Sequence, residues 1–414
     1  MKSPLRLNAA LLGLALLITG CSGGDDGAKA GGKATLSYAV WDANQKPVME
    51  QLAAEFTRTH PNIAIHVELT PWADYWTKLK TAATGGNAPD VFWMNGPNFP
   101  LYASNGVIRP LDGHPDLSVY PKPLVDLYTY EGKTYGLPKD MDTIGVWFNK
   151  KLFDAKKIPY PADNWTWADF QSAAARLTDP AHGVYGTAAP VTSPQEYQYN
   201  TIAQAGGYVI SPDGKKSGYD DPKTIEGLKF WTDLIHKRES PNLKTMTDTV
   251  PLQLFEAGKI AMYWGGSWDA TEFGTNAYTK NTVDVAPLPK GAKQATIIHG
   301  VANVVSAKTA HPEQAAQFVN FLGSHKAADI LGQKGPIPAY NGTQGAWVKA
   351  HPQFKLQTFL DEVSYSVPFP TSKNTAAWNE AELNWLTKAY SGAMPVDKAA
   401  AGLAADMNTL LAKE

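Results

Sequence analysis

The chain has 414 residues, of which 43 % are hydrophobic, 11 % aromatic and 18 % charged, and its formal net charge is −2. Its length fits two or more domains with cores of their own, and its apolar content excludes intrinsic disorder. The nearly balanced charge gives no basic field for nucleic acid, and the one cysteine excludes a disulfide framework and a thiolate metal cluster.

Residues 1–20 have the layout of a secretory signal peptide. Lys2 and Arg6 precede an apolar run, Leu11–Ile18, that is shorter than the roughly 20 residues of a membrane-spanning helix. The run ends at Cys21, and the small residues before this cysteine resemble the bacterial lipobox, in which Cys21 would be the first mature residue and carry a lipid. The alternative is an ordinary signal peptide cleaved near a chance cysteine. The Gly-rich, polar residues 21–33 predict a flexible tether.

The first part of the body predicts strands that alternate with helices. The predicted elements are a strand at Thr35–Trp41, a helix at Pro47–Thr59, a strand at Ile63–Leu69, a helix at Tyr75–Ala83 and a strand at Pro89–Trp93. This order implies parallel strands joined by helices, with ligands beyond the carboxyl ends of the strands.

The same alternation returns further along the chain. The predicted elements there are a strand at Gly145–Asn149, a helix at Trp167–Leu177 capped by Thr166, a helix at Ile225–Lys237, strands at Ile260–Trp264 and Thr296–Ser306, and helices at His311–Gly323 and Ala377–Tyr390. No internal repeat is present, so the body is expected to form two α/β lobes rather than a solenoid or a propeller.

Aromatic residues gather at the ends of the predicted strands, beside short polar residues. The candidates for ligand contact are Trp41 with Asp42 and Asn44, Trp72 with Tyr75, Trp93 with Asn95, and Trp264 with Gly266 and Trp268. Large aromatic residues usually pack in cores, and Trp231 and Trp385 fit that interpretation because they lie on helices at core-like spacing. A pyranose, however, stacks its C–H face on an aromatic ring and needs carboxylate and amide partners for its hydroxyls, and the strand ends supply both.

Arginine is scarce, which bears on the charge of the ligand. The chain contains Arg6, Arg58, Arg109, Arg176 and Arg238, of which three are placed on predicted helices and one in the signal peptide. Because forked arginine contacts are favoured for phosphate and carboxylate, the composition indicates a neutral ligand.

Several stretches, taken in order, resemble the extracellular solute-binding proteins of ABC importers, in the carbohydrate group that includes maltose-binding protein. The matching stretches are Gly86–Phe92, Gly106–Leu111, Gly132–Asp140 with Asp142, Trp147–Phe153, Thr166–Phe170, Gly258–Met262 with Gly266–Trp268, and Pro312–Leu322.

The resemblance implies an α/β fold of the two-lobed, type II periplasmic-binding-protein class, with a cleft that closes about a hinge. The expected lobes are residues 34–143 plus 293–340 and residues 144–292 plus 341–414. The implied protein is a monomer held at the cell membrane on its extracytoplasmic side by the lipid anchor alone. It would capture a mono- or oligosaccharide, deliver it to the transmembrane subunits of an ABC permease, and need neither cofactor nor metal.

The resemblance also implies site residues. Asp140 and Asp142 fall at the first crossing between lobes, where the family often places a carboxylate on sugar hydroxyls. Trp268 and Trp378 match stacking positions, and Tyr197 and Tyr199 match the region of a cleft tyrosine. His299 stands where relatives often carry glycine, and it either contacts the ligand or fills space.

Two alternatives compete with a sugar receptor. An exported glycoside hydrolase would need two carboxylates about 5–5.5 Å or about 6.5–9.5 Å apart. Asp140 and Asp142 are expected on opposite faces of an extended segment, and no nucleophile or metal-binding motif is present. A receptor of the same fold could instead bind a phosphate ester, a metal ion or a polyamine, the last of which would require clustered acids in the cleft.

Overall fold

The computed structural model describes residues 33–113 and 115–414. The predicted signal peptide, Cys21 and the tether up to residue 32 lie outside the described residues. Within the described part of the chain, no helix combines the length and the hydropathy that are needed to traverse a bilayer.

The strands are short and follow the predicted alternation with helices. They are β1 (Ala34–Val40), β2 (Ile63–Leu69), β3 (Val91–Met94), β4 (Thr129–Tyr130), β5 (Lys133–Thr134), β6 (Gly136–Pro138), β7 (Ile144–Asn149), β8 (Tyr185–Ala188), β9 (Ile260–Gly266), β10 (Val283–Ala286), β11 (Thr296–Ile298), β12 (Ala302–Val305) and β13 (Ser366–Pro368).

The helices range from a single turn to four turns. They are α1 (Lys46–Thr59), α2 (Trp72–Gly85), α3 (Phe99–Ser104), α4 (Lys122–Leu127), α5 (Lys150–Lys156), α6 (Trp167–Leu177), α7 (Gln198–Ala205), α8 (Pro222–His236), α9 (Leu243–Asp248), α10 (Pro251–Glu256), α11 (Asp269–Thr275), α12 (Thr279–Thr282), α13 (Pro312–Leu322), α14 (His325–Lys334), α15 (Gly345–Ala350), α16 (Gln357–Asp361), α17 (Thr375–Tyr390) and α18 (Val396–Leu411).

Two sheets organise the body. The first has the order β2-β1-β3-β12-β6 and the second the order β10-β7-β9-β8. In the first sheet β1 pairs in parallel with β2 and β3, as the β-α-β-α-β order predicts, while β12 is antiparallel to both of its neighbours. The mixed α/β fold with two lobes is therefore confirmed.

Local signals explain why several elements form where they do. Helix α1 buries Val48, Leu52 and Phe56 along one face, the apolar stripe that its sequence spacing predicts. At the start of α6 the Thr166 side chain accepts a hydrogen bond from the Asp169 amide, and the Asp169 carboxylate accepts one from the Thr166 amide. This reciprocal pair is a capping box with aspartate at the third helical position, and it fixes the first residue of the helix.

The predicted strand Thr296–Ser306 is interrupted, and the break determines how the sheets are joined. β11 pairs with β13 in a separate two-stranded sheet, whereas β12 belongs to the first sheet, so residues 299–301 pass from the two-stranded sheet to the first sheet. A side chain at Gly300 would come within 2.2 Å of the Asp140 carbonyl oxygen, which explains why the chain can pass so close to residues 139–143. We call residues 139–143 and 299–301 the crossing segments.

The chain beyond residue 340 contacts both sheets' helical layers. Helix α15 packs on α14, which accompanies the first sheet. The ring of Phe359 then lies 6.0 Å from Trp347 in α15 and 5.7 Å from Trp147 in the second sheet, measured between centroids. Residues 345–361 thus bridge the two layers, and the lobe boundaries expected from the sequence stay a proposal.

Candidate functional site: a cleft between the two sheets

A cleft of about 820 Å³ lies where the crossing segments meet the ends of strands from both sheets. Its walls contain indole rings, carboxylates, amides and a proline-rich loop. The residues that line the cleft include Trp41, Asp42, Gln45, Trp72, Trp76, Asn95, Asp140, Asp142, Gln195, Glu196, Ser267, Trp268, His299, Asn379, Glu382 and Leu383.

Three tryptophans form the aromatic wall on the side of the first sheet. Trp41 follows β1, and its ring centroid lies 5.3 Å from that of Trp72 and 5.8 Å from that of Trp76, both in α2. Trp72 is 53 % exposed, which is far more than a core tryptophan and leaves an indole face available to a ligand. Trp76 lies in the same helix as Trp72 but was not among the predicted contacts.

Tyr75 and Trp93 support this wall from behind and do not border the cleft. Both are buried, and the Tyr75 hydroxyl donates a hydrogen bond to the Trp93 carbonyl oxygen at 2.8 Å. The Trp93 indole nitrogen donates to the Tyr38 hydroxyl at 2.7 Å, and the Lys139 ammonium lies 4.3 Å from the Trp93 ring centroid. The reason is position along the strand, because Trp93 lies within β3, all of whose residues are buried, whereas Trp41 lies beyond the end of β1.

Of the polar residues predicted as contacts after β1 and β3, two border the cleft and one does not. Asp42 borders the cleft and accepts hydrogen bonds from the Asn44 amide and the Gln45 side chain, each at 2.8 Å. Asn95 also borders it, and its side-chain oxygen Oδ1 accepts a hydrogen bond from the Asn98 side chain at 2.9 Å. Asn44 does not border the cleft, because its side chain turns to Glu272.

Asp140 lies at the base of the cleft on a crossing segment. It forms a buried ion pair with Lys139, and it accepts a hydrogen bond at 2.6 Å from the amide of Val301 on the other crossing segment. Burial raises the pKa of Asp140 above its ordinary value, an effect that the Lys139 charge opposes. The carboxylate therefore ties the two crossing segments together.

Asp142 and His299 stand next to each other at the same base. The Gln195 side chain donates to Asp142 at 2.5 Å, and the His299 Nδ1 atom lies 3.7 Å from the other carboxylate oxygen. His299 Nε2 accepts a hydrogen bond from the Gly96 amide at 3.0 Å, which places the ring proton of the neutral imidazole on Nδ1. Asp140 and Asp142 both border the cleft, contrary to the opposite faces expected, because they bridge to Pro338 and His299 rather than lie in one regular strand.

The opposite wall carries Trp268. It follows the Gly265–Gly266 end of β9, and a side chain at Gly266 would come within 2.3 Å of the Trp268 ring. Gly266 is not a lining residue but leaves the space in which that ring lies. Trp264 is fully buried, with its ring centroid 5.0 Å from that of Trp231, so it belongs to the core of the second sheet.

Tyr197 and Tyr199 are buried beside the cleft rather than in its wall. Tyr197 stacks on Trp231 with ring centroids 4.4 Å apart, and Trp231 lies in the core as the sequence predicts. The Tyr199 hydroxyl donates to both carboxylate oxygens of Glu382, at 2.9 and 2.8 Å. The residues that border the cleft here are Gln195 and Glu196, just before α7, and Gln198, the first residue of that helix.

Trp378 also lies away from the cleft. It is fully buried, and its indole nitrogen donates to the Ser372 hydroxyl at 2.9 Å. Helix α17 does form part of the wall, but through a neighbouring face that carries Asn379 and Leu383. Trp378 thus lies on the core side of α17, although the helix itself borders the cleft. A shift of one residue rotates a helical side chain by about 100°, which separates Trp378 from the face that carries Asn379.

Two buried glutamates complete the wall. Burial raises the pKa of Glu382 to about 7, although Tyr219, Asn379 and Tyr199 donate hydrogen bonds that lower it. Burial likewise raises the pKa of Glu196 to about 7, and Tyr263 donates to it at 3.2 Å.

The sequence analysis missed Gln195, Glu196, Asn379 and Glu382 as well as Trp76. The available signal for the first two was the turn-forming loop Pro190–Pro194 that precedes them, since loops on a rigid scaffold often carry binding residues. Among the described residues, no group of three or more His, Cys, Asp or Glu is arranged to hold a metal ion.

Comparisons with known proteins agree with this architecture. Residues 42–329 match the model of the family described as bacterial extracellular solute-binding protein. A lipoprotein of Streptomyces antibioticus is 26 % identical over 337 residues, which cover 77 % of this chain and 72 % of the relative. A diacetylchitobiose-binding protein of Streptomyces coelicolor is 25 % identical over 359 residues, which cover 82 % of each chain.

A solved structure extends the similarity to the whole body. The ABC substrate-binding protein of Listeria monocytogenes in complex with cycloalternan superposes with a TM-score of 0.86 at 26 % identity, covering 92 % of this chain and 99 % of that chain. The Streptomyces coelicolor relative and the Listeria protein are described as binding proteins, as is the matched family, and none of the three is described as an enzyme.

Proposed function

Since this chain belongs to the bacterial extracellular solute-binding proteins of the sugar-binding ABC type, we propose that it captures an oligosaccharide in the cleft between its sheets. The observation that carries the proposal is the composition of the cleft wall. Trp41, Trp72 and Trp268 offer indole faces, and carboxylate and amide groups lie among them. This mixture matches the apolar face and hydroxyl rim of a pyranose.

The size of the cleft supports an oligosaccharide rather than a single sugar. Its volume of about 820 Å³ lies in the upper part of the range of about 300–1,000 Å³ that is common for small-molecule sites. The Streptomyces coelicolor relative is named for diacetylchitobiose and the Listeria structure holds cycloalternan, and each is larger than a monosaccharide.

The proposed contacts differ from the set predicted from sequence. Trp41, Trp72, Trp76 and Trp268 would stack on sugar rings, and Asp42, Asn95, Asp140, Asp142, Gln195 and His299 would bond the hydroxyls. The other residues predicted from sequence would act through the cleft residues that they position. These are Tyr75, Trp93, Tyr197, Tyr199, Trp264, Gly266 and Trp378.

The proposal includes a place for the protein in the cell. We propose that Cys21 carries a lipid that holds a monomer on the extracytoplasmic side of the cell membrane, and that the loaded receptor delivers its sugar to an ABC permease. The lipobox-like sequence Ile18–Cys21 supports the anchor, as does the description of the Streptomyces antibioticus relative as a lipoprotein. The lobes are proposed as residues 34–143 plus 293–340 and residues 144–292 plus 341–414.

Isothermal titration calorimetry against a panel of maltodextrins, cello-oligosaccharides and chito-oligosaccharides tests the binding function. We expect saturable binding to at least one series, accompanied by a change in tryptophan fluorescence as indole faces are covered. Silence across all saccharides, with a response to a phosphate ester, would overturn the proposal. Labelling of the expressed protein with a radioactive fatty acid, lost in Cys21→Ser, tests the anchor separately.

A further inference from the structure

Carboxyl groups around the cleft are not balanced by basic groups. The lining residues include Asp42, Asp140, Asp142, Glu196 and Glu382, and they include neither lysine nor arginine. Of these acids Asp140 alone has a cationic partner, Lys139, while Asp142 has the imidazole of His299 at 3.7 Å. The other three bond neutral amide and hydroxyl groups.

The excess of carboxyl groups is concentrated at and behind one end of the cleft. We call this part the acidic end and define it as Asp42, Glu196, Asp269 and Glu272. Asp269 follows Trp268 directly and is 5 % exposed. Burial raises its pKa well above the ordinary value, and the charges of Glu196, Glu272 and Asp42 add to this effect. Among the described residues, no ion pair involves any member of the acidic end.

Two buried polar atoms at this end have no hydrogen-bond partner within the protein. They are Oδ2 of Asp269 and the hydroxyl of Ser267, which borders the cleft and is 1 % exposed. Buried polar atoms are nearly always paired, so the unpaired hydroxyl of Ser267, which borders the cleft, indicates a polar group that the ligand supplies.

The chemistry of that group follows from the surrounding acids. An anionic ligand would be repelled by the acidic end, whereas a cation would favour the ionised forms of its carboxyl groups, which a neutral hydroxyl would not do. A metal ion does not fit, because no group of three or more potential ligands is arranged to hold one in the described part of the chain. An ammonium group has three donors and no acceptor, and the neighbouring indole faces also attract cations.

We propose that the acidic end selects a saccharide that carries a protonated amine. The inference rests on the proposed function and narrows its substrate class to amino sugars or their oligomers. The amine would bond Glu196 and the Ser267 hydroxyl, with Asp269 and Glu272 as a second layer of negative charge. The sugar rings would lie on the tryptophan walls.

Matched ligands that differ at one atom test this selectivity. Glucosamine oligomers and cello-oligosaccharides share a β-1,4 skeleton and differ in an ammonium or a hydroxyl at C2, and glucosamine and glucose form the corresponding monosaccharide pair. By calorimetry we expect the amine to bind at least about tenfold more tightly, and added salt to weaken amine binding alone. Equal affinity within both pairs overturns the inference.

The outcomes also separate the inference from the proposed function. A protein that binds maltodextrins or cello-oligosaccharides and ignores the amines keeps the proposed function and loses the inference. A protein that binds spermidine and no saccharide loses both, because the cationic ligand is then not a sugar.

A variant links the selectivity to the acidic end. Asp269→Asn removes a buried ionisable group and keeps the side-chain size, and we expect the ratio of the affinity for the amine to that for its hydroxyl homologue to shrink severalfold. Asp233→Asn, at an exposed position of α8, is the control and should leave the preference intact. An unchanged preference in folded Asp269→Asn, judged by circular dichroism, overturns the assignment. The salt dependence of the wild-type protein provides the test if the variant does not fold.

Discussion

The side chain of Asn44 donates a hydrogen bond to the carboxylate of Glu272 at 2.8 Å and thereby joins the two walls of the cleft. Asn44 lies in the loop after β1 of the first sheet, and Glu272 lies in α11, which follows β9 of the second. The bond closes one side of the cleft beside Asp42, and it is made only when the sheets are near each other. Any motion that separates the two sheets at this side of the cleft must therefore break the bond.

Asn44→Ala should weaken saccharide binding without a comparable loss of stability. A hydrogen bond to a charged but solvated group contributes about 0.5–1.5 kcal/mol, which corresponds to roughly a twofold to tenfold increase in Kd. Calorimetry gives the affinity, and urea denaturation of the free protein gives the free energy of unfolding. Asn164→Ala, at an exposed position away from the cleft, is the control. An affinity equal to that of the control would show that the bond does not favour closure.

Trp268→Ala should weaken saccharide binding by about 1–3 kcal/mol, because it removes one indole face from the cleft wall. Trp385→Ala removes a partly buried tryptophan whose indole nitrogen bonds Asp406 at the surface, and its affinity should stay near that of the wild type. Calorimetry with the tightest saccharide of the panel decides the outcome. Equal affinities of both variants would remove Trp268 from the site.

Gly266→Ala should act through Trp268. The added methyl group would come within 2.3 Å of the indole, so the ring must move. We expect a loss of affinity close to that of Trp268→Ala, and the double variant should lose little more than Trp268→Ala alone. A double-mutant cycle measured by calorimetry checks this coupling. Additive losses would mean that Gly266 affects binding by another route.

Trp378→Ala should destabilise the protein rather than abolish binding. The side chain is fully buried, so its removal should lower the free energy of unfolding by about 3–5 kcal/mol. The affinity of the folded protein should fall less than in Trp268→Ala, since Trp378 does not border the cleft. Urea denaturation and calorimetry measure the two effects. A large loss of affinity at unchanged stability would restore Trp378 as a ligand contact.

Glu362→Gln should flatten the pH dependence of stability. Glu362 is fully buried and accepts a hydrogen bond from the Leu288 amide at 3.0 Å, and burial raises its pKa to about 8. In the unfolded chain the carboxyl titrates near about 4.3, so between these values the unfolded state releases a proton that the folded state retains. Stability is therefore lost as pH rises through this window.

At pH 8 Glu362→Gln should exceed the wild type in free energy of unfolding by about 4–5 kcal/mol, and at pH 4 the two should be nearly equal. Urea denaturation across this pH range makes the comparison. Glu380→Gln, which changes an exposed acid on α17, should retain the slope of the wild type. If the free energy of unfolding of Glu362→Gln had the same pH dependence as that of the wild type, another ionisable group would be responsible for it.

Periodicity and turn signals predicted most of the regular elements and the parallel core of the first sheet. The helix Trp167–Leu177 has the predicted bounds because the capping pair at Thr166 is local. The strand Thr296–Ser306 was predicted as one element although it serves two sheets, because the close approach of Gly300 to Asp140 is a tertiary contact. Local patterns do not contain such contacts.

The sequence predicted which segments of the chain lie near the cleft better than it predicted which residues of those segments border it. Trp41 lies just beyond β1 and borders the cleft, whereas Trp93 lies within the fully buried strand β3 and packs in the core. Near Tyr197 and Trp378 the predicted residues are buried, and their neighbours Gln195 and Asn379 reach the cleft. A shift of one or two positions reverses burial in a helix or a strand, and a family resemblance at low identity does not fix that register.

The bonding between the crossing segments predicts that capture of a sugar has two kinetic parts. The Asp142 amide donates to the His299 carbonyl oxygen at 2.9 Å, and the Lys139 amide donates to that of Val301 at 2.7 Å, so we expect this ribbon to persist if the sheets separate. Asp140, Asp142 and His299 would then present a formed polar surface to an arriving sugar before the opposing indoles reach it. Substitutions in the base of the cleft should therefore change the association rate, and substitutions in its walls should change the residence time.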